Sequence, residues 1–334
     1  MVGLPRRWAR EMKLEQGTEV TITKVSSRSL LVTAEPVIAQ GGREAVIEAD
    51  AEDTLEAIFR KVVSLYILGY SRIVIEGSRG FFSNSKKLSL KDLIRRHLTG
   101  AEGVGERRDT LTVHVLLGYS ELSVESALKK MLLTVDSLMN DTVQALKSGD
   151  MGLVEVSYER RDEVGRFGLY VLRQLNLSLN EGVMPDLRLE NRDTLGYILV
   201  ARMLERIAQH AGSLSKAVGD LKRPLVGPVF ERIASMGEEV ATLVDDALLS
   251  LFKRDHTGAD ELVERSRRFA EKETEMARSL NDGEGQGQYS IHVIMDMQRR
   301  IAEYAKEVAE VVLDMTVERT LQEREVAVPQ VMLN

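Results

Sequence analysis

The sequence predicts a mainly α-helical protein: two tandem three-helix bundles, preceded by a small α/β unit and an N-terminal hairpin module. Three observations carry this. From Ser120 onward no strand pattern appears, and apolar residues step alternately by four and three, the spacing of packed helices. The helical region divides into two sets of three that resemble each other. Ahead of it, between Ala45 and Leu117, β-branched runs alternate with helical ones.

The first thirty-odd residues read as a short helix and a hairpin. Pro5 stands where a first helical turn tolerates proline, Trp8, Met12 and Leu14 supply an apolar side, and Gly17 ends the helix. Val20 and Ile22 alternate with Thr21 and Thr23 as a strand. Ser26-Ser27 make the turn, and Leu30 and Val32 return. So small a hairpin cannot bury a core alone, so a neighbour or dimer partner is expected.

The next part reads β-α-β-α-β. Ala45–Glu48, Arg72–Ile75 and Leu111–Leu116 are strands, and Ala51–Leu68 and Leu88–Leu98 are helices. Gly100, Gly103 and Gly105 follow a helix and precede a strand. A phosphate loop needs the opposite order, so they read as a connector. Lys86, Lys87, Lys91, Arg95, Arg96, Arg107 and Arg108 are interspersed with Asp92, Glu102, Glu106 and Asp109 and read as a solvent face.

Three stripes define the long helices: Leu128, Leu132, Val135, Met139, Thr142, Leu146; Val200, Leu204, Ile207, Ala211, Leu214, Val218; and Ile301, Ala305, Val308, Val312, Met315. Breaks fall at Ser148-Gly149-Asp150, Val183–Asp186, Lys222-Arg223-Pro224, His256–Gly258 and Asp282–Gln288. The duplication shows in Lys147 with Glu159-Arg160 against Lys253 with Glu264-Arg265. It shows again in Arg206–Ala211 against Arg300–Ala305.

Composition narrows the function classes. The 334 residues carry a net charge of -7 and no cysteine, which excludes disulfides, thiolate metal sites and a cysteine nucleophile. The most apolar stretch, Leu169–Leu179, is broken by Arg173, Gln174 and Asn176, so no membrane insertion is expected. Arg6, Arg7 and Arg10 are followed by charged residues rather than an apolar run, so no signal peptide is read and a cytoplasmic location is expected. No nucleophile elbow or His-Glu-x-x-His motif appears, and no enzyme activity is expected. His292 with Asp296 and Glu310 with Asp314 have metal-compatible spacing, but such pairs are what exposed helix faces ordinarily contain.

Tyr158–Leu175 (YERRDEVGRFGLYVLRQL) and Leu204–Ala217 (LERIAQHAGSLSKA) resemble the PhoU domain of phosphate-uptake regulators. Leu4–Ile22 (LPRRWAREMKLEQGTEVTI) resembles the SpoVT/AbrB swapped-hairpin DNA-binding module. The order of modules is similar to archaeal PhoU-like regulators. On this resemblance the chain divides into an AbrB-like module at 1–35, an α/β domain at 45–118, and PhoU-like bundles at 120–222 and 224–325. The AbrB-type module ordinarily has a strand before its Leu-Pro, so a start upstream of Met1 is expected.

The resemblance implies a homodimeric regulator of phosphate uptake and homeostasis. It would bind DNA through Arg6, Arg7, Arg10, Lys13, Lys24 and Arg28 and sense or dock partners through the bundles. The alternative is an adaptor without DNA binding that negatively regulates a phosphate transporter, through its ATPase subunit, or a sensor kinase. Metal-binding PhoU bundles carry Glu/Asp-x-x-x-Asp pairs. Here Glu205 is followed by Gln209 and Arg299 by Glu303, so one partner is missing in each copy. The remaining candidates for a divalent metal or iron are Asp162, Glu205 and Glu303, and no cofactor is expected.

Overall fold

The computed structural model describes residues 3–15, 17–24, 30–33, 43–78, 80–107, 109–116, 122–180, 191–221, 227–280 and 288–321. Its N-terminal helix, α1 (Arg6–Glu11), is shorter than expected. The Met12 and Leu14 amides turn back onto the Trp8 and Ala9 carbonyls, and Lys13 takes the left-handed conformation at φ 51°. The helix is therefore closed before Gly17 is reached. Strand β1 (Thr21–Lys24) pairs antiparallel with β2 (Leu30–Thr33), with Ile22 opposite Val32. Ile22 and Leu30 are 61% and 63% exposed. The expected Ser26-Ser27 turn lies outside the described residues.

The α/β part has four strands rather than three. They are β3 (Glu44–Ala49), β4 (Arg72–Gly77), β5 (Ala101–Arg107) and β6 (Thr110–Val115), in the order β3-β4-β6-β5. β3 and β4 are parallel, joined by the crossover helix α2 (Leu55–Ile67), and the remaining pairs are antiparallel. The extra strand is the glycine-rich segment. A Cβ at Gly103 would lie 2.8 Å from Lys91 Cγ, and Gly105 takes φ 71° where the β5/β6 register shifts. Glycine here permits close approach of the neighbouring helix and a bulge, uses that a propensity-based reading takes for a loop.

That neighbouring helix, α3 (Asn84–His97), starts earlier than expected, because Ser83 accepts the Lys86 amide and caps it. Thr54 caps α2 in the same way. One sheet face buries Ile47, Ile73, Ile75, Leu111, Val113 and Val115 in the core that also holds Ile58, Val62, Leu90 and Ile94. Lys87 is not on the solvent face. It is 8% exposed and donates to the Arg107 carbonyl at 2.5 Å. The same compact unit includes the end of the long helix α5 (Met151–Asn180), from Arg173 onward. There the Arg173 guanidinium donates to the carbonyls of Tyr66 (2.6 Å), Tyr70 (2.9 Å) and Gly69 (3.3 Å) and so closes the C-terminus of α2.

The second compact unit contains α4 (Val124–Ser148), α5 up to Leu172, α6 (Asn191–Gly219), α7 (Pro228–Lys253), α8 (His256–Leu280) and α9 (Gln288–Thr316). It is two three-helix sets, α4–α6 and α7–α9. Nearly every stripe residue read from the sequence is buried; Leu132 and Met315 are the half-buried members. α4 ends as expected at Gly149, left-handed at φ 72°. The expected break at His256–Gly258 is instead the first turn of α8, because Asp255 Oδ1 accepts the Gly258 amide and starts the helix there. The breaks at Val183–Asp186 and Lys222–Pro224 lie outside the described residues, as does most of Asp282–Gln288.

Repeated interactions define the register of the two sets. Arg160 meets Asp141 at 3.0 Å in the first, and Arg265 meets Asp246 at 2.5 Å in the second. Gly149 and Arg254 are the matching left-handed caps. This register sets Lys147 against Phe252 rather than Lys253. The two sets pack through equivalent helices, α4 on α7 and α6 on α9. His210 and Tyr304, which occupy equivalent positions, stack with ring centroids 5.6 Å apart. The arrangement is self-complementary, as in a symmetric dimer, but within one chain.

Arg254 holds an unfavourable backbone conformation for a side-chain-bearing residue, φ 54°. Its guanidinium compensates by gripping both oxygens of Asp193 on α6, at 2.8 and 2.6 Å. Arg254→Ala loses the grip and keeps the strain, and should lower stability by about 2 kcal/mol. Arg254→Gly loses the same grip but relieves the strain, so its loss should be smaller by about 1 kcal/mol. Urea unfolding of the two variants checks the order.

Candidate functional site

Two regions were candidates from sequence, the N-terminal cations and the carboxylates of the PhoU-like copies; the basic segment around α3 reads as a solvent face. Arg6, Arg7 and Arg10 lie on α1 and Lys13 directly follows it, all exposed. Arg7 pairs with Glu11 at 3.0 Å, and such an exposed pair contributes little. Lys24 belongs to β1; its side chain and all of Arg28 lie outside the described residues. In the basic segment, Arg95 and Arg96 both pair with Asp92, which holds that carboxyl low despite an opposing desolvation effect.

Each metal candidate is engaged by an arginine. Asp162 accepts from Arg161 at 2.8 Å, Glu205 from Arg202 at 2.8 Å, and Glu303 from Arg299 at 2.6 Å. Burial pushes Glu205 up, with Arg202 and Arg206 opposing. Among the described residues no group of three or more His, Asp or Glu is placed to hold a metal. One member of each four-apart pair is likewise engaged by cations. Asp296 binds Arg299 and Arg300, and these bonds outweigh burial to lower its pKa; Glu310 binds Lys306. The residues present do not fit a multinuclear centre.

The equivalent positions in the two copies explain why. Arg202 and Glu205 of α6 correspond to Asp296 and Arg299 of α9, so the ion pair is retained with its polarity reversed. Opposite Glu205 stands Gly168 of α5, where a Cβ would lie 2.2 Å from Glu205 Oε1. At the corresponding place on α8 stands Glu273, 3.8 Å from Arg299. Each copy has one carboxylate at this place, facing glycine in one and arginine in the other. Such a set balances charge but does not surround a cation.

The seam between α4 and α7 holds a site that sequence reading missed. The helices run antiparallel: Lys147 near the end of α4 pairs with Glu238 near the start of α7, and Lys129 at the other end lies 5.4 Å from the Phe252 ring. At one end Gly237 of α7 faces Val143 of α4, and a Cβ there would meet Val143 at an ordinary 3.4 Å and Gln298 Nε2 of α9 more tightly, at 3.1 Å. The equivalent pair at the other end is Leu132 and Leu248. There the helices leave a groove of about 240 Å³, lined by Leu132, Leu133, Asp136, Asp245, Leu248, Leu249 and Phe252. Desolvation, reinforced by the charge and hydrogen bond of Asp136, raises Asp245 to about 6. Each aspartate follows a stripe valine or its equivalent (Val135, Val244), but nothing in either stripe says that the two helices meet.

Comparison with known proteins agrees with this architecture. Residues 128–218, running from α4 to the end of α6, match the PhoU domain family. No curated protein matches the sequence. Among solved structures, PhoU from Pseudomonas aeruginosa superposes with a TM-score of 0.53 at 19% identity, covering 58% of this chain and 96% of that one. The phosphate transport system regulatory protein PhoU from Streptococcus pneumoniae gives 0.52 at 16%, covering 60% and 96%. At these identities the likeness is one of fold. Residues 128–218 thus match the PhoU domain family, within a doubled PhoU-like helical fold.

The raised Asp245 pKa has a stability consequence. Near pH 4 and below, the folded chain keeps this proton as the unfolded chain does. As pH rises from about 4 through about 6, the unfolded chain releases it first, so stability falls across this interval and stays lower above it. Asp245→Asn should therefore stabilise the protein at pH 8 and have little effect at pH 4. The gain is about 1 kcal/mol, after discounting for exposure. Asp136→Asn should act in the same direction. Denaturant unfolding at the two pH values checks both.

Proposed function

We propose that this protein is a cytoplasmic, non-catalytic adaptor that regulates phosphate uptake by protein–protein contact. The observation that carries this is the PhoU domain match across α4–α6, on a fold shared with a phosphate transport system regulatory protein. Asp162, Glu205 and Glu303, the three metal candidates read from the sequence, are each paired with arginine, which favours contact over metal chemistry as the mode of action. The partners are the ATPase subunit of a phosphate transporter or a sensor kinase, and the effect is negative regulation. Purified full-length protein should bind one of these in a pull-down and by titration calorimetry, and should lower transporter ATPase turnover or kinase output. Failure to bind either would sink the reading.

A second reading is favoured by the helix-plus-hairpin order at the N-terminus and by the exposed Arg6, Arg7, Arg10 and Lys13 beside it. Here the same protein is a dimeric DNA-binding regulator. In fluorescence anisotropy with labelled upstream DNA, affinity should fall steeply with salt. Each of Arg6→Gln, Arg7→Gln and Arg10→Gln should reduce the salt slope by about one. A slope unchanged in all three variants would exclude these residues from DNA contact.

A further inference from the structure

The α4–α7 groove combines an apolar lining, from the buried Leu248 out to exposed leucines, with two carboxylates for which no cation partner stands among the described residues. Leu133 and Leu249, both lining it, are 65% and 51% exposed and with Phe252 form a small apolar patch. Asp136 accepts from the neutral Asn140 amide at 2.9 Å. Nearby cations pair with other carboxylates, Lys129, which also lies over the edge residue Phe252, with Glu125 and Arg265 with Asp246. At about 240 Å³ the groove is smaller than the usual small-molecule site, yet roomy for an inserted side chain. An anionic or wholly apolar occupant would leave both aspartates uncompensated, whereas a cation would satisfy them.

We propose that this groove seats an amphipathic helix of a partner protein that carries a lysine or arginine among apolar residues. Leu133, Leu249 and Phe252 receive its apolar side chains, and Asp136 and Asp245 receive its cation. This is the helix-in-groove mode, with charge selecting the partner. The cation offsets the repulsion between the two carboxyls, to which Asp246 adds its negative field. The proposal rests on the adaptor reading above and names the surface through which it operates.

The test uses full-length protein and a fluorescent, leucine-rich helical peptide with a central arginine, set against the same peptide with glutamate in that place. The arginine peptide should bind at least tenfold more tightly. Leu133→Ser, Leu249→Ser and the double change Asp136→Asn with Asp245→Asn should each weaken it about tenfold, with circular dichroism confirming that the variants are folded. Equal binding of both peptides, or no response to the leucine changes, overturns the proposal. So does a wild-type dimer in sedimentation that dissociates in the leucine variants, since that would make the groove a contact with a second copy. The transporter ATPase and kinase separate the two levels. Capture by wild type and leucine variants alike removes the groove and leaves the adaptor. No capture by wild type, with the peptide result intact, removes the adaptor and leaves the groove.

Discussion

The helical unit depends on like packing against like. α4 lies on α7 and α6 on α9, so each copy covers its apolar surface with the equivalent surface of the other. Such packing constrains both copies at once, because a residue near the local axis meets its own counterpart. His210 and Tyr304 show a workable solution, two flat rings stacked at 18°. Burial keeps His210 below its ordinary pKa, with the Arg300 charge adding to the effect, so the stack is neutral at pH 7. Away from the axis the constraint relaxes and the copies differ. Gly237 faces Val143 at one end of the α4–α7 seam, while its counterpart Leu132 borders the open groove at the other.

The same freedom redistributed charge. At equivalent positions of α6 and α9, one copy has Arg202 and Glu205 and the other Asp296 and Arg299. Burial raises both Glu205 and Glu273, and in each case an arginine works against the rise. A carboxylate so placed is a structural partner to a guanidinium.

Much of this fold was legible from periodicity. The stripe from Val200 to Val218 and most of that from Ile301 to Met315 are buried, because a helical apolar face in so long a segment has few other fates. The β3 and β4 strands were equally plain from their branched residues. β5 was not, because Gly103 and Gly105 serve approach and curvature rather than strand propensity. Lys87 was misassigned because a buried lysine and an exposed one look alike in sequence until its carbonyl partner on β5 is known. The Asp136–Asp245 pair was missed for a related reason. Periodicity reports which face of a helix is covered and is silent on which helix covers it. The carboxylates of the PhoU-like copies were the opposite case, since Gln209 and Arg299 already marked the incomplete pairs.

The unequal caps at Gly149 and Arg254 bear on the autonomy of the two copies. Glycine completes α4 with nothing but its own backbone. Arginine also closes α7 with its backbone, on the Leu251 and Ser250 carbonyls, but in a left-handed conformation for which its side chain compensates by gripping Asp193, which belongs to the other copy. The second copy therefore borrows part of its own boundary from the first. A tandem repeat begins as two units that can each fold and be lost or shuffled separately. Here the two copies share a boundary as well as a packed face, and separating them would leave Arg254 in its left-handed conformation without the partner that compensates for it.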